Sequence, residues 1–164
     1  MNPLDISPDA TASRTAWVLG AWPIAVVPSL LYFLALAGID ADVLQPPRRT
    51  FDVAFAGYSI LAAPLLETAL MLALARLLEF MVPRRRRLRI VLLAVTCALA
   101  HLIGGGWHQV VASFWPFLIY SVMLTAWLPR SPHVAFLLTA LVHSLYNATL
   151  FVAGGLLFLP PAVA

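Results

Sequence analysis

The chain contains no lysine. All ten of its basic residues are arginines, and charged side chains of either sign make up only 10% of its 164 residues. It has a single cysteine, Cys97, which excludes an internal disulfide and leaves the redox compartment unspecified. No internal repeat or low-complexity tract is evident. What it has in abundance is apolar sequence. Hydrophobic residues are 62% of the chain. Runs of about 20 of them recur, which a soluble core of this size does not need. In a bilayer interior every backbone polar group must be satisfied within the protein, and helices do this segment by segment. The composition therefore predicts an all-α fold, a polytopic transmembrane helix bundle forming one membrane-embedded domain over residues 1–164.

Five spans are expected, at about 17–38, 54–80, 88–107, 109–128 and 133–158. Residues 1–16 form a polar N-terminal tail. The first span ends in Ala35-Leu36-Ala37, which is similar to a signal-peptidase site. The run from Trp17 to Ala37 is too long for a signal core and its leader is not basic, so it reads as a retained span. Pro46, Pro47, Arg48 and Arg49 mark the first loop, and Pro83 with the arginine run marks the second. Gly104-Gly105-Gly106 ends or loosens the third span, and Pro129-Arg130-Ser131-Pro132 is a tight loop before the fifth.

Five of the arginines cluster in Arg84-Arg85-Arg86-Arg87-Leu88-Arg89. A cluster beside a span stays cytoplasmic and contacts anionic lipid. Spans flank it on both sides, so no nucleic-acid partner is expected. With that loop inside, Arg14, the five arginines of 84–89 and Arg130 are cytoplasmic, against Arg48 and Arg49 outside. The expected topology is a multi-pass protein of the cell's inner (cytoplasmic) membrane, with its N-terminus in the cytoplasm and its C-terminus outside.

Within this apolar background one ionisable residue, Glu67, falls near the centre of the second span. Charge at that depth is costly and marks a partner or a water-filled cavity. At about 1.5 Å per residue, Glu67 lies roughly 25 Å from Arg84 and His101 roughly 18 Å from Arg89. His143 and Asn147 lie roughly 20 and 25 Å from Arg130 on the same measure. All four therefore occupy one layer, from the middle to the outer half of the membrane. His143 and Asn147 are also spaced i, i+4 and share a helix face. Glu67 follows Pro64 by three residues, and Pro64 leaves the carbonyl of Ile60 without its helical donor, so the helix is expected to kink or hydrate there.

Each feature has a plainer reading. His143 and Asn147 can be an interhelical hydrogen-bond pair. Glu67 can be a neutral acid bonded to a neighbouring helix, and His101 a satisfied core histidine. Cys97 and His101, at i, i+4, admit a thiol nucleophile, although a lone buried cysteine is commonly a small apolar residue. Zinc on Glu67, His101 and His143 is stereochemically possible, but no HExxH pair is present, and no cofactor is expected. Arg76 and Glu79 read as a local interfacial pair, and His108 and His133 are assigned no role.

Three segments carry a family resemblance. The first is Glu67-Thr68-Ala69-Leu70-Met71-Leu72, the second Cys97-Ala98-Leu99-Ala100-His101, and the third His143-Ser144-Leu145-Tyr146-Asn147. Their order and spacing resemble the CAAX-prenyl-protease-type and bacteriocin-processing (CPBP) intramembrane endopeptidases over a core of about 54–152. That family shows Glu-Glu-x-x-x-Arg, then Phe-x-x-x-His, then His-x-x-x-Asn. Here Thr68 replaces the second Glu, Leu72 the Arg and Cys97 the Phe. Losing the acid or the Arg alone would strand a buried charge at roughly 3–5 kcal/mol, whereas losing both can be nearly neutral. The resemblance implies an endopeptidase in which Glu67 is the general base and His101 helps activate water. His143 and Asn147 would then hydrogen-bond the oxyanion. It implies a membrane-anchored peptide or protein segment as substrate. The alternative is a catalytically inactive scaffold or immunity-type binding protein.

Overall fold

The computed structural model describes residues 13–39 and 53–158. Most of the polar tail and the loop carrying Arg48 and Arg49 lie outside them, as does the chain after Phe158. Every described element is helical. They are α1 (Arg14–Ile39), α2 (Val53–Gly57), a π-helical turn (Tyr58–Ala62), α3 (Ala63–Met81), α4 (Arg86–Ala100), α5 (Leu102–Trp127) and α6 (Pro132–Phe158). α2, the π turn and α3 run on as one span over Val53–Met81. This is an all-α bundle of a membrane protein, with four helices long and apolar enough to cross a bilayer.

α4 is the exception, and the expected third span over 88–107 is corrected accordingly. The helix is 15 residues long and stops at Ala100. The chain then turns at His101, and Leu102 already belongs to α5. The backbone breaks again at Gly106, with φ 66° and ψ −169°. That conformation is open to glycine and almost closed to other residues. The polar tail also ends earlier than expected, because α1 starts at Arg14, and α6 starts at Pro132, so that His133 sits in its first turn.

Burial follows a bilayer logic. The interior faces carry small residues at four-residue spacing, which lets helix backbones approach closely. Ala21, Ala25 and Ser29 form such a stripe on α1, Ala94 and Ala98 on α4, and Ala135 and Thr139 on α6. The opposite faces present large aliphatic residues outward, among them Leu19, Leu31, Leu70, Val91 and Leu141.

The helices are joined largely through carbonyls that prolines have orphaned. A proline removes the N–H that the carbonyl four residues earlier would accept. Pro28 does this to Ile24, whose oxygen accepts from Nε1–H of Trp115 at 2.7 Å. Pro116 does it to Ala112, whose oxygen lies 3.3 Å from the Ser29 hydroxyl, and the same hydroxyl also reaches Ala25 O at 3.4 Å. Pro129 does it to Thr125, whose oxygen accepts from Nη2–H of Arg86 at 3.1 Å. Each donor comes from another helix, so the backbone defect of one element becomes the attachment point of its neighbour. At the arginine-rich end Glu79 pairs with Arg76 at 2.9 Å, as expected from their spacing, and also with Arg89 of α4 at 3.4 Å.

Candidate active site

Pro64 shapes the segment before Glu67. Its missing N–H makes the helix slip one residue, and the N–H of Ala63 donates to Tyr58 O instead of Ser59 O. Ser59 O has thus lost its α-helical donor, and its π-helical donor would be the proline nitrogen, which carries no proton. The side-chain amide of Asn147 on α6 fills that place, donating to Ser59 O at 2.8 Å. The sequence places the defect at Pro64 and expects an orphan at Ile60; the π turn leaves Ser59 O without a helical donor as well. Such single π turns recur at functional sites.

His101 closes α4 in a related way. Its backbone N–H donates to Ala98 O at 3.0 Å, one residue short of the regular ladder. Its side-chain Nδ1 lies 3.0 Å from the Cys97 carbonyl that this leaves free. A carbonyl only accepts, so Nδ1 carries a proton and Nε2 points away from Cys97. The ring nitrogen nearest Cys97 is therefore engaged with the backbone, not the thiol.

Glu67 meets both histidines. Its Oε2 lies 3.6 Å from Nε2 of His143 and 3.9 Å from Nε2 of His101. His101, at the turn that closes α4, and His143 of α6 thus both face one carboxylate oxygen on α3. The Glu67 side chain is 34% exposed and that of His101 27%, whereas His143 is only 5% exposed. Oε2 itself is buried and makes no hydrogen bond to the described residues. Both separations exceed a direct hydrogen bond.

Glu67, Cys97 and His101 line a cavity of about 740 Å³ between α3, α4 and α5. The rest of its wall is mostly apolar, with Phe55, Leu70, Leu74 and Phe117 contributing. Thr68, next to Glu67 on α3, is fully buried. Leu72, one turn further on, packs against the core.

Two aromatic residues of α5 complete the surroundings and are not distinguished by the sequence. Phe117 packs against both imidazoles, with ring centroids 5.2 Å from His101 and 5.7 Å from His143. Tyr120 stacks on His143 at 4.6 Å with 28° between planes. The only signal in the chain is Pro116, which marks a special turn of α5 without saying which face matters. His108 is exposed, with Nδ1 3.4 Å from the Tyr32 hydroxyl, apart from this cluster. Among the described residues no group of three His, Cys, Asp or Glu is arranged to hold a metal ion.

No protein-family model matches the chain, no curated protein matches it in sequence, and no solved structure matches its fold.

Proposed function

We propose that this protein is a glutamic-type intramembrane endopeptidase, similar in its site to the CAAX-protease-like and bacteriocin-processing enzymes. One observation carries the reading: a single buried carboxylate oxygen faces Nε2 of two histidines from two other helices, at the wall of an apolar cavity. Glu67 takes a proton from a water that His101 helps to orient. The hydroxide oxygen bonds to the scissile carbonyl carbon, and the negative charge develops on the carbonyl oxygen. His143 donates to that oxygen, and so does the second amide proton of Asn147, the first being bonded to Ser59 O. Such a donor is typically worth about 3–4 kcal/mol in the transition state. The C–N bond then breaks, and Glu67 returns the proton to the leaving amine.

The cavity lining favours apolar residues around the scissile bond of a membrane-anchored peptide, such as a C-terminal tag or a leader. The arginine distribution favours an inner-membrane protein with its N-terminus in the cytoplasm, its C-terminus outside, and Arg84–Arg89 against anionic lipid. In that orientation the site lies in the outer half of the bilayer, away from the cytoplasmic leaflet where prenylated substrates reside.

The test is cleavage of tagged membrane-anchored candidates from the same genome, co-expressed with the wild type or with Glu67→Gln. The glutamine keeps shape and hydrogen bonding but removes the base. Loss of processing by an inserted, folded variant is expected; identical product patterns would end the protease reading. One observation supports a second reading, an inactive scaffold or immunity-type binder: Asn147 spends one amide proton holding helices together. A binder tolerates Glu67→Gln and still retains its partner.

A further inference from the structure

An extended peptide brought into the cavity beside Glu67 carries backbone N–H and C=O groups that have left their own helix. Each of them costs free energy if it finds no partner away from water. A wall that holds such a peptide needs a donor and an acceptor outside the reacting centre. Apart from Glu67, Cys97 and His101, the polar side chains of this wall are Tyr58, Thr96 and Gln109. A threonine on a helix has a ready acceptor in the carbonyl four residues earlier, the bond that Thr125 and Thr149 make here. A tyrosine offers a single oxygen. A carboxamide presents an N–H and a C=O side by side, the same pair that one edge of an extended backbone presents.

Gln109 sits on α5, three residues after the backbone break at Gly106. Its side chain is exposed and lines the cavity. Its own backbone oxygen accepts from the Ser113 hydroxyl at 2.7 Å, which ties down the turn that carries it. Eight positions further along α5 lies Phe117, against the imidazoles of His101 and His143. Both Gln109 and Phe117 line the one cavity, so it extends along α5 from the histidines toward Gly106. Eight helical residues measure about 12 Å. An extended chain rises about 3.3 Å per residue, so this length holds about four residues of peptide.

We propose that Gln109 is a peptide-binding residue whose side-chain amide pairs with the backbone N–H and C=O of an extended segment, about four residues from the bond that faces Glu67. The interaction reads the backbone and not the side chains, which leaves sequence preference to the apolar part of the wall. It also favours a substrate stretch that unwinds easily, since a residue still in a helix has no free N–H to offer. This deepens the peptidase reading above and rests on it for the chemistry, while the binding itself can be measured without cleavage.

Cys97 lines the same cavity and is the only cysteine in the chain, so its modification reports occupancy. The probe is a tetrapeptide of leucine and alanine capped at both ends, titrated against the protein in lipid nanodiscs. The rate at which methyl methanethiosulfonate labels Cys97 is followed by mass spectrometry of the intact protein. The peptide should slow labelling of the wild type. Gln109→Met, which keeps length and removes both hydrogen bonds, should need about 10-fold more peptide for the same protection. The same peptide methylated at its backbone nitrogens should protect the wild type less. In Gln109→Met the methyl groups should cost less than they do in the wild type, because the acceptor they deprive is already gone. The labelling rate without peptide shows whether the cavity of the variant is intact, and the methylated peptide tests the wild type alone if it is not. Equal protection of both proteins, equal protection by both peptides, or no protection of the wild type would overturn the proposal. Protection that depends on Gln109 in a protein that cleaves nothing would end the peptidase reading and leave Gln109 as a peptide-binding residue. Cleavage with protection that ignores Gln109 would do the reverse.

Discussion

Asn147 donates its side-chain amide to Ser59 O at 2.8 Å, across the gap that Pro64 opens in the ladder of the neighbouring span. The same logic links Trp115 to Ile24 and Arg86 to Thr125. In each case proline leaves a carbonyl without its helical donor, and another helix supplies one. The prolines therefore act as addresses for interhelical contact, and the one beside Glu67 fixes how α3 and α6 meet.

Asn147→Ala should strand the Ser59 carbonyl and lower stability by about 1–3 kcal/mol. Pro64→Ala should give the ladder back its N–H and remove the orphan. The double variant should then lose less than the sum of the two single losses, because the amide no longer has a partner to lose. Thermal unfolding of the four proteins in one detergent measures the coupling. Strict additivity would mean that Asn147 does not act through the defect at Pro64.

Gly106 and Gly20 should respond to alanine in opposite directions. An added Cβ meets nothing within 4 Å at either position, so space does not distinguish them. Gly106 holds φ 66°, and alanine there should cost about 1–3 kcal/mol through backbone strain. Gly20 lies inside α1, where alanine should be neutral or stabilising by up to about 1 kcal/mol. Thermal unfolding of the two variants checks this. Equal shifts would remove the argument that the break in α5 depends on glycine.

Much of the bundle was legible because its signals are additive. Long apolar runs, prolines and the arginine cluster place spans and loops without knowledge of packing. The layer of Glu67, His101 and His143 was legible for the same reason, since depth depends only on distance along a helix. Rotation about each axis does not, and this hid Phe117 and Tyr120, whose faces are set by how α5 packs. The shortness of α4 was hidden too. Its apolar run continues past Ala100, and only the turn at His101 and the backbone of Gly106 end the helix. Asn147 shows the limit most clearly: its type and spacing suggest an oxyanion donor, while its observed partner is a carbonyl made available by a π turn.

If the protein is the peptidase proposed above, Cys97 should be dispensable for cleavage but well placed to block it. Its thiol lines the cavity beside Glu67, and the imidazole of His101 is turned away from it toward the carboxylate. Cys97→Ser should keep cleavage within a few-fold of wild type, since no step uses the thiol. A methanethiosulfonate reagent should inactivate the wild type and leave the serine variant untouched, because this is the only cysteine in the chain. Loss of cleavage in Cys97→Ser would revive the thiol mechanism.

Under the peptidase reading proposed above, Ala100 offers a way to change the substrate preference without touching Glu67, His101 or His143. It lines the cavity at the end of α4, one residue before His101, and faces open space rather than the packed core. Ala100→Phe should therefore narrow the cavity without overpacking the bundle. For peptides with small residues beside the scissile bond, cleavage should persist. For those with leucine or phenylalanine there, kcat/KM should fall about 10-fold or more, the discrimination a few methylenes provide in an apolar pocket. Competition between small- and large-residue peptides in the same membranes reads the ratio directly. A uniform loss across the series would mean that the substitution disturbs His101, and an unchanged ratio would mean that substrate does not enter this cavity.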